Sequence, residues 1–293
     1  MKVIVTGSSG RVGRAVRAAL GIHHEVLGVD VSPSSSTDVV ASIEDRVVLE
    51  RVLGGADAVV HAAGLHAPHV GRAPDSRFWE VNVTATRLLA GLCIQVGVPR
   101  LIFTSTTALY GRASTRADAA SWVTEETPPS PRTIYHRTKL SAEAVLRDAS
   151  RAGELDVVVI RMARCFPESA PVMAVFRMHR GVDVRDVAEL HVTALVAPTR
   201  GFRIFIGAGC TPFLPTDVVD LRVDAGAVIR RRAPHVAAAF DARGWALPRS
   251  IDRVYIADRA RRELGWTARF GPDEVLAELD SRSPQVLPPP PQT

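Results

Sequence analysis

The chain has 293 residues, with 36 basic and 31 acidic side chains and a formal charge of +5. Its composition, 46% hydrophobic and 23% charged, is that of an ordinary globular protein and argues against a mostly disordered or collagen-like one. No stretch approaches the roughly 18 apolar residues of a bilayer-spanning helix, and Met1–Gly7 enters a strand-like run without the apolar segment and cleavage site of a secretory signal.

Three scattered cysteines, Cys93, Cys165 and Cys210, are too few for a disulfide framework or a zinc site. A reduced, cytoplasmic protein of one or two domains is therefore expected. All but two of the basic residues are arginines; the lysines are Lys2 and Lys139. Arginine favours phosphate and nucleic-acid contacts. Most of these arginines are interleaved with acids and apolar residues, and Arg230-Arg231-Arg232 is the only run of three. Solvated helix faces explain them better than a nucleic-acid surface.

The first strand-like run, Val3-Ile4-Val5, leads into a glycine-rich turn, after which Val12, Val16, Ala19 and Leu20 recur at helical spacing. Val26–Asp30, Ala58–Val60, Leu101–Phe103, Val157–Ile160 and Phe202–Ile206 read as buried strands, with helical patterns near 44–53, 78–96, 133–149 and 186–196 between them. Nearly continuous apolar strands separated by helices predict a doubly wound α/β fold with a parallel sheet, of the Rossmann type. Residues 1–165 would form this domain, completed by about 182–208. Residues 166–181 and 209–283 would form a smaller substrate-binding lobe, and the proline-rich 284–293 a frayed tail.

Gly7-Ser8-Ser9-Gly10-Arg11-Val12-Gly13 follows the first strand and opens the first helix. Glycines there let the backbone turn tightly and approach a pyrophosphate that faces the helix N–H groups. Tight strand-to-helix turns use glycine for packing alone, but here Asp30 ends the second strand 23 residues after Gly7. A carboxylate at that point accepts bonds from an adenosine ribose and repels a 2′-phosphate. NAD is thus expected ahead of NADP, although Arg11 and Arg14 leave an extra phosphate within reach.

Tyr135 and Lys139, four residues apart, fall on one face of the helical pattern at 133–149. A free tyrosine with a pKa near 10 is a poor base at neutral pH. A neighbouring ammonium and an oxidised nicotinamide would both favour the phenolate. The bland alternative is an incidental surface pair, in a chain with three tyrosines and two lysines. Upstream, Thr104-Ser105-Thr106-Thr107 leaves a strand end on the ligand-binding side of such sheets. A hydroxyl there would bond a substrate oxygen, or else cap its own turn.

The Thr6–Gly13 turn, Asp30, His61-Ala62-Ala63-Gly64, Asn82, Ser105–Gly111 and Tyr135…Lys139 together resemble an extended short-chain dehydrogenase/reductase of the NAD-dependent epimerase/dehydratase family. The resemblance covers about the first 165 residues and resumes at Val182–Ala188 and Ala260–Trp266. It implies Tyr135 as general acid/base, Lys139 on the nicotinamide ribose and tuning Tyr135, and Thr106 on the substrate oxygen. It further implies that Gly7, Ser9, Gly10, Arg11, Val12, Gly13, Asp30, Ile43, Ala62, Ala63, Gly64, Asn82, Thr104, Tyr135 and Lys139 line the dinucleotide. A homodimer packed through the helices carrying Asn82 and Tyr135 is implied too.

The departures bear on chemistry. Sugar dehydratases of this family resemble one another in an Asp-Glu pair where this chain has Thr107-Ala108, so dehydration is not expected. The asparagine that touches a nucleotide-sugar is replaced in Arg161-Met162-Ala163-Arg164, and the 25 residues from Arg161 to Asp186 make a short substrate cap. Candidate substrate contacts are Thr107, His66, Arg164, Arg177 and Arg180, the arginines as clamps for an anionic group. His61, His66 and His69 lack a cysteine or paired carboxylate at ligand spacing, so no metal is expected. Two readings stay open: an enzyme moving hydride at a secondary alcohol or ketone carbon, and a non-catalytic dinucleotide sensor or scaffold on the same fold.

Overall fold

A computed structural model describes residues 1–114, 117–151 and 153–289. The chain forms two compact units. The first comprises Met1–Leu109, Pro131–Arg161 and Val187–Phe205; the second comprises the described residues of Tyr110–Ser130, Met162–Asp186 and Ile206–Thr293.

The first unit opens with β1 (Lys2–Thr6), α1 (Arg11–Leu20), β2 (Glu25–Asp30), β3 (Val39–Val40), α2 (Arg46–Leu53) and β4 (Ala58–His61). It continues with α3 (Asp75–Trp79), a π-helical turn (Glu80–Thr84), α4 (Ala85–Val96) and β5 (Arg100–Thr106). The strand β6 (Ser121–Val123) lies in the second unit, before α5 (Ile134–Ser150) in the first. β7 (Asp156–Met162), α6 (Ala170–His179), α7 (Val184–Val196) and β8 (Phe202–Gly207) follow. Seven strands order as β3-β2-β1-β4-β5-β7-β8, with β1 parallel to both β2 and β4, and β4 parallel to β5. The chain thus reverses direction across the sheet at β1/β4, the switch point where doubly wound sheets bind ligands beyond their strand ends.

Each strand is hydrophobic on both faces because helices cover both. Ile4, Val59, Leu101 and Val157 bury against Leu49, Leu53, Leu89 and Leu146 in one core. Side chains hold the helix starts: Asp45 accepts from Val48 N–H at α2, and Thr133 Oγ1 from His136 N–H at α5.

The second unit has its own core of Met173, Met178, Phe213, Leu221, Ile229 and Phe240, among others. A two-stranded parallel sheet pairs β6 with β9 (Arg253–Tyr255). Two features differ from the sequence expectation. Tyr110–Ser130 belongs to this unit, since Ser121 pairs with Arg253. The expected frayed tail is ordered at its start: Val286 is buried, Leu287 N–H donates to Glu168 O, and Leu287 O accepts from Ala170 N–H. Val286, ahead of the prolines, has a core to enter, while Leu287 is held by its backbone and its side chain stays exposed. Residues 290–293 of that tail lie outside the described residues.

Among the described residues no helix is long and apolar enough to cross a membrane, and no group of three His, Cys, Asp or Glu side chains is arranged to hold a metal ion. The arginine run is paired within the fold. Arg230 meets Asp241, and both Arg231 and Arg232 meet the buried Asp217, which they hold down at about pKa 2.

Candidate active site

The turn between β1 and α1 needs its glycines for its own geometry. Gly7 sits at φ +73°, and a Cβ there would lie 2.5 Å from Ala63 N. A Cβ at Gly13 would lie 2.0 Å from Gly7 O. Gly7 N–H donates to Val29 O and Gly10 N–H to Gly7 O, closing the turn. Gly10 caps α1 with no side-chain bond, and the first turn of α1 carries no acid. The positive end of that helix is therefore left to an anion. Arg11 stands at that end, its buried Nε without a hydrogen-bond partner. On the neighbouring strand Asp30 accepts from Ser9 N–H at 3.0 Å and Ser32 N–H at 2.9 Å, which fixes the carboxylate beside the turn. Ile43 is buried.

His61, at the end of β4, is wholly buried and pushed down to about pKa 3 by that burial, with the Lys139 ammonium as a smaller cause. Its Nδ1 meets Thr6 Oγ1 at 2.8 Å and its Nε2 meets Thr86 Oγ1 at 2.9 Å. Thr86 already donates to Asn82 O, so His61 carries its proton on Nε2 and accepts from Thr6 on Nδ1. A neutral imidazole thereby ties β1, β4 and α4 together. Asn82 is saturated: Oδ1 accepts from Leu65 N–H, and Nδ2 donates to Leu65 O and Thr138 Oγ1. The helix expected without interruption over 78–96 widens into a π turn at this residue, keeping both Phe78 and Asn82 buried. Gly64 passes so close that a Cβ would lie 2.9 Å from Asn82 Oδ1 and 3.6 Å from Lys139 Nζ.

Tyr135 and Lys139 share the buried face of α5. The Thr106 side chain at the end of β5 favours the ionised form of Tyr135, and Lys139 Nζ donates to Thr104 O at 2.8 Å. Tyr135 packs in a small apolar cluster with Phe78 and Ile134. The acidification expected from the ammonium together with an oxidised nicotinamide belongs to the cofactor-bound site; in the protein alone burial drives the phenol up to about 12, against a smaller opposing effect of Thr106. Burial likewise drives Lys139 down to about 8, opposed by Glu143. Both groups lose more on leaving water than they recover from neighbours.

Sequence reasoning missed three side chains around this pair. Glu143, one turn beyond Lys139, accepts from Ser105 Oγ at 2.6 Å and forms a buried ion pair with Arg161 at 2.7 Å. His191 on α7 meets Thr104 Oγ1 at 2.9 Å, with Nδ1–H donating to Val187 O, and is driven to about pKa 4 by burial. The available signal was position: Glu143 falls eight residues after Tyr135, on the same face.

Of the candidate substrate contacts, Thr107 is buried beside Thr106. Burial lowers the pKa of His66, with smaller contributions from His69 and from the Lys139 charge. The second unit holds the arginines. Arg164 pairs with Glu168, and Arg180 stacks 4.0 Å from the Phe176 ring. Arg177 is only 3% exposed and pairs with Asp183 at 2.8 Å, so packing and not a substrate clamp accounts for it here.

The donor set of the first unit fits a dinucleotide: a glycine turn on an uncapped helix start, an arginine with an unpartnered Nε, and an oriented carboxylate on the next strand. Comparison with known proteins agrees. An L-arabinose 1-dehydrogenase (NAD(P)+) of Haloferax volcanii is 29% identical over 170 residues, 55% of this chain and 66% of that protein. A UDP-glucose 4-epimerase of Bacillus subtilis is 28% identical over 343 aligned positions, 95% of each chain. The crystal structure of a short-chain dehydrogenase/reductase superfamily protein from Agrobacterium tumefaciens with bound NAD has a TM-score of 0.71 and 25% identity, over 96% of both chains. The chain spans about half the length of other curated relatives it matches, between 39% and 50% of four of them. The model of the NAD dependent epimerase/dehydratase family matches residues 3–173, well over half of the sequence, and the chain belongs to that family.

Proposed function

We propose that this protein is an NAD-dependent oxidoreductase or epimerase of the extended short-chain dehydrogenase/reductase type, acting at a secondary alcohol or ketone carbon of a sugar or nucleotide-sugar. The carrying observation is the placement of Tyr135 and Lys139 together on the buried face of α5, with Lys139 Nζ bonded to Thr104 O at the end of β5, two residues before Thr106. Tyr135 takes the proton of the substrate hydroxyl, and Thr106 holds the same oxygen. Bound NAD supplies the hydride acceptor and, when oxidised, the positive charge that makes the phenolate accessible. Lys139 holds the nicotinamide ribose and Asp30 the adenosine ribose; Gly7–Gly13 and Arg11 face the pyrophosphate. Released carbonyl product means dehydrogenation, and re-reduction on the other face means epimerisation. Thr107-Ala108 supplies no acid/base pair for dehydration.

Small-molecule chemistry also suits the ion-paired arginine surface better than nucleic acid does. A homodimer through α4 and α5 and a cytoplasmic setting complete the reading; three free cysteines support the latter. Hydride transfer into NAD+ from a panel of sugars and polyols, in wild type and Tyr135→Phe, tests the activity. Equal or absent transfer in both would favour a dinucleotide sensor. Sedimentation tests the dimer.

A further inference from the structure

We propose that Glu143 is a positioning residue for the site, supplying the fixed counter-charge that keeps the buried Lys139 protonated; this rests on the activity proposed above. Glu143 is 1% exposed and Arg161 3%. Glu143 Oε1 accepts from Ser105 Oγ and Arg161 Nε, and Oε2 accepts from Arg161 Nη2. A buried ion pair of this kind is weak support for stability, because well-packed apolar residues in its place are often as good or better. Its placement points to another role. Glu143 follows Lys139 by one helical turn, and Ser105 directly follows Thr104, whose carbonyl accepts from Lys139. The carboxylate is thus held on β5 and β7 while its charge acts through space on the ammonium.

The other groups facing Lys139 do not do this. Phe103 and Thr104 of β5 carry no charge, and the Phe103 ring lies 4.4 Å from Nζ. His61 of β4 and His66 after it have lowered pKa values and are neutral at the pH where lysine titrates, as is His191 behind Thr104. Tyr135 titrates higher. Arg161 bears the wrong sign and is paired with Glu143.

The chain holds only two lysines, Lys2 and Lys139, so lysine labelled with carbon-13 at Cε yields two signals whose pH midpoints are read directly. Lys2 is the internal standard, and a Lys139→Met sample assigns the pair. Glu143→Gln is expected to lower the Lys139 midpoint by about one pH unit or more. Arg161→Gln breaks the same ion pair but keeps the carboxylate, and is expected to raise the midpoint. If Glu143→Gln does not fold, the double variant is compared with Arg161→Gln and should lie lower. Shifts of the same sign in both single variants, or no shift on losing the carboxylate, overturn the proposal. The titration needs neither cofactor nor turnover, so a parallel NADH titration of wild type reports separately on the activity reading.

Discussion

Lys139 Nζ donates its 2.8 Å hydrogen bond to the carbonyl oxygen of Thr104, not to a carboxylate. A cation buried against a neutral acceptor is held below its ordinary pKa, at about 8 against 10.5. Between those values the unfolded chain binds a proton at Lys139 that the folded chain does not, so the contribution of Lys139 to folding stability rises as pH climbs from about 8 to about 10.5. Lys139→Met should abolish that rise, as denaturant unfolding at pH 8 and pH 10 would show.

Tyr135→Phe removes the hydroxyl and leaves the ring in its cluster with Phe78 and Ile134. Hydride transfer should fall by roughly 10²–10⁴-fold, the usual worth of a positioned acid/base. NADH affinity should stay within about twofold, read by fluorescence titration, since the change is confined to the reacting end.

Asp30 is held beside the glycine turn by Ser9 and Ser32 N–H. Asp30→Ser should weaken NADH binding and strengthen NADPH binding, narrowing their ratio by at least tenfold in calorimetry, because a 2′-phosphate no longer meets a carboxylate. Tighter NADPH than NADH binding in the wild type would instead place Arg11 or Arg14 in control.

Two glycines should behave oppositely when changed to alanine. Gly13→Ala puts a methyl 2.0 Å from Gly7 O, which no side-chain adjustment relieves, so both thermal stability and NADH binding should drop. Gly91 on α4 has open space at its Cβ. Gly91→Ala should stabilise by about 0.5–1 kcal/mol through helix propensity.

His61, His179 and His191 are buried, with pKa values driven to about 3, 4 and 4. In the unfolded chain histidine titrates near 6.5. As pH falls below about 6.5 the unfolded chain takes up protons first, so stability falls, and above that range these groups add no pH dependence. His61→Gln should flatten the decline between pH 6.5 and 4 by about one proton in urea unfolding.

The local parts of this site were legible in the sequence. A β-branched run, a glycine turn and an amphipathic helix specify themselves within 20 residues, and the Tyr135–Lys139 spacing is a property of one helix. Glu143 was hidden, since its partners Ser105 and Arg161 are 38 and 18 residues away and meet it only once β5 and β7 flank the helix. Arg177 misled for the converse reason: an arginine near other arginines suggests an anion, and nothing in the string marks Asp183 as its partner. Acidification of Tyr135 was expected from Lys139 and an oxidised nicotinamide together, whereas the burial that raises the phenol and lowers the ammonium depends on the whole fold and is not written in a four-residue spacing.

The π turn at Glu80–Thr84 makes the length of its helix a counted quantity. A turn closed one residue wider spends five residues on about the rotation that four spend in an ordinary helix, so the faces on either side of it stay aligned. Excising one of the five should leave Phe78 in the cluster it shares with Tyr135. The deletion should instead be felt at Asn82, whose bonds to Leu65 and Thr138 depend on its place within the wide turn.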